Sequence, residues 1–230
     1  VVDDVLAIHE GGKLRVASQS EINSLRDLQM IYTPGVASVC LTIARDEAAY
    51  RRYTWVSNTV AIVTDGSAVL GLGDIGPKAG LPVMEGKAVI LDRLAGVGCV
   101  PILLSRGMSI DEMVRTVESI ATGFGVIMLE DIAAPKCFEI EAKLSERLPI
   151  PVFHDDQHGT AVIVLAALIS ACRRFGAELE PLRVVIAGSG AAGSATARLL
   201  LAAGVKDVIC CDRTGALYKG RSEHMNPSKD

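Results

Sequence analysis

Apolar and polar positions along this chain switch repeatedly between the two-residue period of a strand and the longer period of a helix. Thr59 to Thr64 is β-branched and apolar throughout, which predicts a strand buried on both faces. Val69 to Pro77 reads as a strand running into a glycine-rich loop, and Gly80 to Leu91 as an apolar helix or strand carrying one lysine. Cys99 to Leu104 predicts another buried strand. Ser109 followed by Asp111 and Glu112 predicts a capped helix to about Thr122, stopped at Gly123-Phe124-Gly125. A strand then ends at Glu130-Asp131, an amphipathic helix covers Phe138 to Leu148, and a second helix pattern runs from Thr160 to Phe175. Upstream, His9 to Arg26 is mixed and polar, predicting loop with a short strand and helix. At Ile31 to Ala37 a Thr33-Pro34 step precedes a helix resuming at Val36. Strands alternating with helices imply an α/β layer structure with a largely parallel sheet.

Past the polar stretch Gly176 to Pro181 the pattern becomes more specific. Arg183 to Ala187 is a strand, followed at once by Gly188-Ser189-Gly190-Ala191-Ala192-Gly193 and an Ala/Leu-rich helix to Ala203. A second strand, Asp207 to Cys211, ends at Asp212, about 20 residues beyond the glycines. Strand, G-x-G-x-x-G, helix, strand and terminal acid in that order predict a Rossmann-type dinucleotide site. The glycines bring backbone to the pyrophosphate and Asp212 faces a ribose hydroxyl. The acid favours NAD slightly over NADP, although the adjacent Arg213 suits a 2'-phosphate.

Composition narrows the function classes. Half of the 230 residues are apolar, which fits a globular chain, and a formal net charge of -4 without a dense Lys/Arg run argues against nucleic-acid binding. The six cysteines form no C-x-x-C spacing and sit in apolar segments, as reduced thiols in a cytoplasmic protein do. No signal peptide is expected, and the apolar run from Ala161 to Ala171 falls short of the roughly 20 residues that cross a bilayer. A small polar ligand is the expected partner.

Phe153-His154-Asp155-Asp156-Gln157-His158-Gly159-Thr160 carries the strongest chemical signal. Two adjacent carboxylates between a strand and a helix repel each other beside apolar surface, so something must compensate them. Glu130-Asp131 is a second acidic pair at a strand end. Converging carboxylate oxygens suit Mg²⁺ or Mn²⁺, although turns and helix caps also collect acids. Lys87 either snorkels to water or sits desolvated, and Tyr32 stands at the entrance of the helix after Pro34.

Together the motifs Tyr32-Thr33-Pro34-Gly35-Val36-Ala37, Asp65 to Pro77, Pro82-Val83-Met84-Glu85-Gly86-Lys87, Leu129-Glu130-Asp131-Ile132 and His154 to Thr160 resemble the bacterial small-subunit malic enzymes. The resemblance runs from about Ile31 to Arg221. It implies an N-terminal malic-enzyme α/β domain over 1–157, a connecting helix and linker over 158–181, and a partial NAD(P)-binding Rossmann domain over 182–230. It further implies oxidative decarboxylation of L-malate to pyruvate and CO₂ with NAD or NADP and Mg²⁺ or Mn²⁺, in a homodimer or larger homo-oligomer. Glu130, Asp131 and Asp156 match the family's metal ligands, Lys87 its general base, Asp155 the carboxylate paired with that base, and Tyr32 its general acid. A lysine can take the C2 hydroxyl proton only if its pKa falls toward neutrality; burial favours that and Asp155 opposes it.

Two departures accompany the resemblance. Larger-subunit relatives carry an arginine that grips a substrate carboxylate where this chain has Ala68. The chain also ends at Asp230 after two strands of a nucleotide-binding sheet that normally has about six, so a piece of a longer protein is expected. The alternative reading is therefore a truncated, non-catalytic fragment that retains partial metal and nucleotide binding. A dehydrogenase acting on amino acids or folate derivatives is a weaker third reading, because it needs no acidic metal cluster.

Overall fold

The computed structural model describes residues 2–225. The elements follow in chain order as α1 (Val2–His9), α2 (Leu25–Ile31), α3 (Val36–Arg45), α4 (Tyr50–Tyr53), β1 (Thr59–Thr64), α5 (Pro77–Ala95), β2 (Gly98–Leu103), α6 (Ile110–Ile120), β3 (Val126–Leu129), α7 (Lys136–Arg147) and β4 (Val152–His154). They continue as α8 (Asp155–Phe175), β5 (Arg183–Ala187), α9 (Ala191–Ala202), β6 (Asp207–Asp212) and the two-residue β7 (Gly215–Ala216).

The first sheet is parallel, in the order β2-β1-β3-β4. All six residues of β1 are buried, as a continuous apolar run demands of a central strand covered on both faces. Its alternate residues serve two layers. Val60 and Ile62 pack with Met84 and Ala88 of α5, while Ala61 and Val63 pack with Met113, Val114 and Val117 of α6 and Ile140 and Leu144 of α7. Pro82 lies inside α5. The expected capping box of α6 is present, with Ser109 and Glu112 each satisfying the other's backbone N–H.

The second sheet has the order β5-β6-β7, with β5 and β6 parallel and β7 antiparallel. In β5 alternate residues are exposed, Val185 at 60 %. The chain is therefore an α/β protein with a complete parallel layer followed by the opening strands of a nucleotide-type sheet, α8 running between the two.

Several expectations are corrected. Val69 to Pro77 is not a strand but a compact loop with a single bridge between Val69 and Gly73, because glycines with positive φ at 71, 73 and 76 turn the chain too tightly to pair. No strand forms between His9 and Arg26. β2 is an edge strand and only half-buried, since helices cover it incompletely. The Rossmann-like part holds three strands among the described residues, not two. Finally α8 starts at Asp155, five residues before its apolar pattern, because acids are favoured in a helix's first turn whatever their polarity. With 21 residues, that helix is long and apolar enough to cross a membrane, unlike the apolar run inside it. Here it stands between the sheets with α9 packed against it.

Candidate active site

Parallel strands deliver their carboxyl ends to one edge of the sheet, and β3 and β4 are neighbours. Glu130 and Asp131 follow β3 directly, and Asp155 and Asp156 follow β4 in the first turn of α8. Side chains from separate segments therefore meet. Glu130, Asp131 and Asp156 each place one carboxylate oxygen within 4.8 Å of the others. Asp131 adopts φ 53, a left-handed conformation that non-glycine residues adopt at a cost. Its backbone N–H donates to Asp156 Oδ2 at 2.9 Å, and its carbonyl accepts from Ala68 N–H at 3.0 Å. The loop after β1 is further fixed because Asp65 accepts from Ser67 and Lys136, while Ser67 Oγ accepts from Ala133 N–H.

Lys87 projects from α5 into the same cluster. Its Nζ lies 2.6 Å from Asp155 Oδ2 and 3.1 Å from Glu130 Oε1. One turn along α8, Gly159 leaves room for that pairing. A Cβ built there would stand 2.9 Å from Asp155 Cγ, so any larger residue would push the carboxylate aside.

The electrostatics are those of crowded negative charge. Burial pushes the Glu130 carboxyl up to about 7, with Asp155 and Asp156 adding to it and Lys87 opposing. Burial and Asp156 push Asp131 up to about 6. Glu130 Oε2 and Asp131 Oδ2 are buried without a hydrogen-bond partner. Buried carboxylate oxygens without partners in a compact acidic group are what a hard divalent cation would satisfy, so the donor set fits Mg²⁺ or Mn²⁺.

For Lys87 the direction differs from the expectation. Burial disfavours its charge, but the hydrogen bond it donates to Asp155 and the charge of Glu130 outweigh that and hold the amine above its ordinary value. Positive charge added to the carboxylates is the change that would reverse the balance.

Tyr32 makes no hydrogen bond to the group among the described residues; it follows α2 and is 68 % exposed. The helices around it, α1 to α3, bury no residue.

The glycine loop lies between β5 and α9. An added Cβ at Gly193 would lie 2.9 Å from the Gly188 carbonyl carbon, which accounts for the third glycine, whereas one at Gly190 would meet nothing. Ser189 Oγ is buried and unpartnered at this helix N-terminus, where oriented N–H groups favour an anion. Gly188, Ser189 and Gly190 line a cleft of about 680 Å³ with Asp212 and Arg213; Ala134 and Phe138 of the first layer form its other wall. Ala191 and Ala192 open α9. Asp212 is engaged by Arg221, whose Nη2 lies 2.8 and 2.9 Å from its two oxygens, and by Thr214.

Residue-by-residue reading of the sequence missed roles for Gly159, His154, Gln157, Glu141 and the Asp65–Lys136 pair. No sequence signal pointed to Gly159, because the apolar helix pattern starts only at Thr160 whereas α8 starts at Asp155.

Comparison with known proteins places the chain in a family. The family profile described as "Malic enzyme, N-terminal domain" matches residues 11–145, and "Malic enzyme, NAD binding domain" matches residues 157–229. NAD-dependent malic enzyme 1 of Bacillus subtilis is 53% identical over 214 residues, covering 93% of this chain and 48% of its own length. NADP-dependent malic enzyme of Haemophilus influenzae is 46% identical over 95% of this chain and 29% of its own length. In three dimensions the NAD-dependent malic enzyme of Thermotoga maritima superposes with a TM-score of 0.92 at 45% identity, covering 98% of this chain and 60% of that one. The chain thus spans about half the length, or less, of the curated relatives it matches.

Proposed function

The chain belongs to the malic enzyme family, and from that premise we propose that it supplies the cation site, the base and the first part of the nucleotide site for oxidative decarboxylation of L-malate to pyruvate and CO₂. The observation that carries this reading is the placement of the Lys87 amine 3.1 Å from Glu130, one member of a three-carboxylate group whose oxygens lie within 4.8 Å of one another. On this reading residues 1–157 form the catalytic domain, 158–181 the connection and 182–230 the start of the NAD(P)-binding domain.

Glu130, Asp131 and Asp156 would hold Mg²⁺ or Mn²⁺, which when bound supplies Lewis-acid stabilisation of negative charge developing on the substrate oxygen. Lys87 takes the proton of the C2 hydroxyl as hydride leaves C2 for the nicotinamide, and Asp155 orients the amine. Loss of the carboxylate bonded to C3 as CO₂ leaves an electron pair that is quenched at C3 by a proton from Tyr32. One proton is removed and one returned, so malate and NAD⁺ give pyruvate, CO₂ and NADH without net proton release. Gly188 to Gly193 hold the pyrophosphate at the start of α9, with Asp212 beside the ribose once Arg221 yields it. NAD is slightly favoured for that acid.

The helices that flank Tyr32, α2 and α3, bury no residue. Leu25, Met30 and Leu41 are exposed there, which supports a homodimer in which a second copy packs on this surface. Free cysteines fit a cytoplasmic setting.

The test is manganese-dependent formation of pyruvate and NADH from malate and NAD⁺. Wild-type turnover abolished in Lys87→Ala is expected, and turnover that survives that substitution refutes the reading. A second reading, cation binding without turnover, follows from the half-length match to relatives; it is the result if Mn²⁺ binds but no NADH forms.

A further inference from the structure

We propose that Glu141, Gln157 and His154 form a buried relay of positioning residues that sets the orientation of Asp156 toward the cation. The inference rests on the reading of Glu130, Asp131 and Asp156 as cation ligands, and it concerns residues that touch neither substrate nor nucleotide.

The relay starts on α7. Glu141 Oε1 accepts the backbone N–H of His154 at 2.9 Å and pairs with His158 Nε2 at 2.8 Å, while Oε2 accepts from the Gln157 amide at 2.9 Å. A carboxylate from another helix therefore caps the start of α8, whose own N-cap residue, His154, provides no side-chain cap. Gln157 is 2 % exposed, and its amide nitrogen lies 3.0 Å from His154 Nδ1. Its two amide hydrogens are thus directed to Glu141 and to the imidazole, and turning the amide over would set its oxygen against the Glu141 carboxylate. That orientation of the amide requires Nδ1 to accept and Nε2 to carry the ring proton, an assignment that follows from the hydrogen-bond network.

That proton faces the carboxylate group. His154 is fully buried, and Nε2 lies 3.1 Å from Asp156 Oδ2, at ion-pair distance but without hydrogen-bond alignment. Asp156 Oδ2 already accepts Asp131 N–H. The Asp131 N–H on Oδ2, with Nε2 beside it, leaves Oδ1 with lone pairs to spare for a cation. Burying a glutamine, a histidine and most of a glutamate costs desolvation that apolar side chains of similar size would avoid, and packing alone does not require it. An imidazole whose tautomer is fixed on one side while it orients a ligand on the other is the arrangement by which outer groups tune metal sites.

Gln157→Met keeps the volume and removes both links. Mn²⁺ affinity measured by electron paramagnetic resonance of the full chain should fall about tenfold, the lower end of outer-group effects. The zero-field splitting of the bound ion should change as well, which a purely structural role would not produce. Glu141→Gln, which retains an acceptor for His154 N–H, should weaken binding less and serves as the reporter if Gln157→Met does not fold. Melting without metal checks the fold of each variant. Unchanged Mn²⁺ affinity and spectrum in a folded variant, with the wild type binding normally, overturn this inference alone. A wild-type chain that binds no Mn²⁺ overturns the cation reading and the inference with it.

Discussion

Replacing Gly159 by alanine separates stability from function at a single methyl group. On helix propensity the substitution should stabilise α8 by about 1 kcal/mol. The new Cβ, however, would stand 2.9 Å from Asp155 Cγ, so the carboxylate must turn away from Lys87. Losing that charge-assisted hydrogen bond costs about 1.5–3 kcal/mol, and the net loss is about 1 kcal/mol, or roughly 2–4 °C in melting temperature. The chemical effect should be larger than the thermal one. Asp155 helps keep the amine charged, so without it Lys87 becomes a better nucleophile near neutral pH. Acetic anhydride labelling at pH 8, read peptide by peptide by mass spectrometry, should show Lys87 reacting several-fold faster in Gly159→Ala while other lysines keep their rates. If Lys87 reacts at the wild-type rate and the melting temperature rises by the full propensity gain, the close packing of Asp155 on Gly159 is not what holds the lysine.

Two further predictions concern charge. Glu130 is raised from 4.5 to about 7, so the folded state binds its proton more tightly than the unfolded state does. Its stabilising contribution is therefore present below pH 4.5 and lost as pH rises toward 7. In EDTA, calorimetry should show stability falling by about 3 kcal/mol between pH 5 and 8, less in Glu130→Gln, and Mn²⁺ should reverse the loss. A flat or rising profile would contradict it. Asp65→Asn leaves Lys136 without its partner beneath the loop after β1, and denaturant unfolding should show a loss of about 3 kcal/mol, the low end for a buried pair because Lys136 is partly exposed.

The layered α/β core was legible because β1 and β3 are continuous apolar runs and α6 carries its capping box in plain sequence. The acids were legible as strand-end residues, since a parallel sheet sends all such positions to one edge. What the pattern hid was the start of α8: its first five residues are polar or glycine, and that end is capped by Glu141, thirteen residues upstream of His154. The glycine-rich stretch after Val69 misled in the opposite sense, its Val and Leu residues suggesting a strand while Leu70 and Leu72 are exposed on a loop. The charge state of Lys87 was beyond reach, because it depends on the distances to Asp155 and Glu130 rather than on residue types. Tyr32 illustrates a further limit: a motif can mark a residue whose working neighbours are not among those packed on it here.

On the proposed reading, three carboxylates from two strand ends hold one divalent ion next to a lysine. Isothermal titration of the chain with Mn²⁺ tests it directly. One ion per chain is expected, with binding lost in Asp131→Asn and Asp156→Asn and retained in Asp111→Asn, an exposed acid in the first turn of α6 that pairs with Lys143 instead. Absence of binding by the wild type, or undiminished binding when both Asp131 and Asp156 are replaced, would contradict the account.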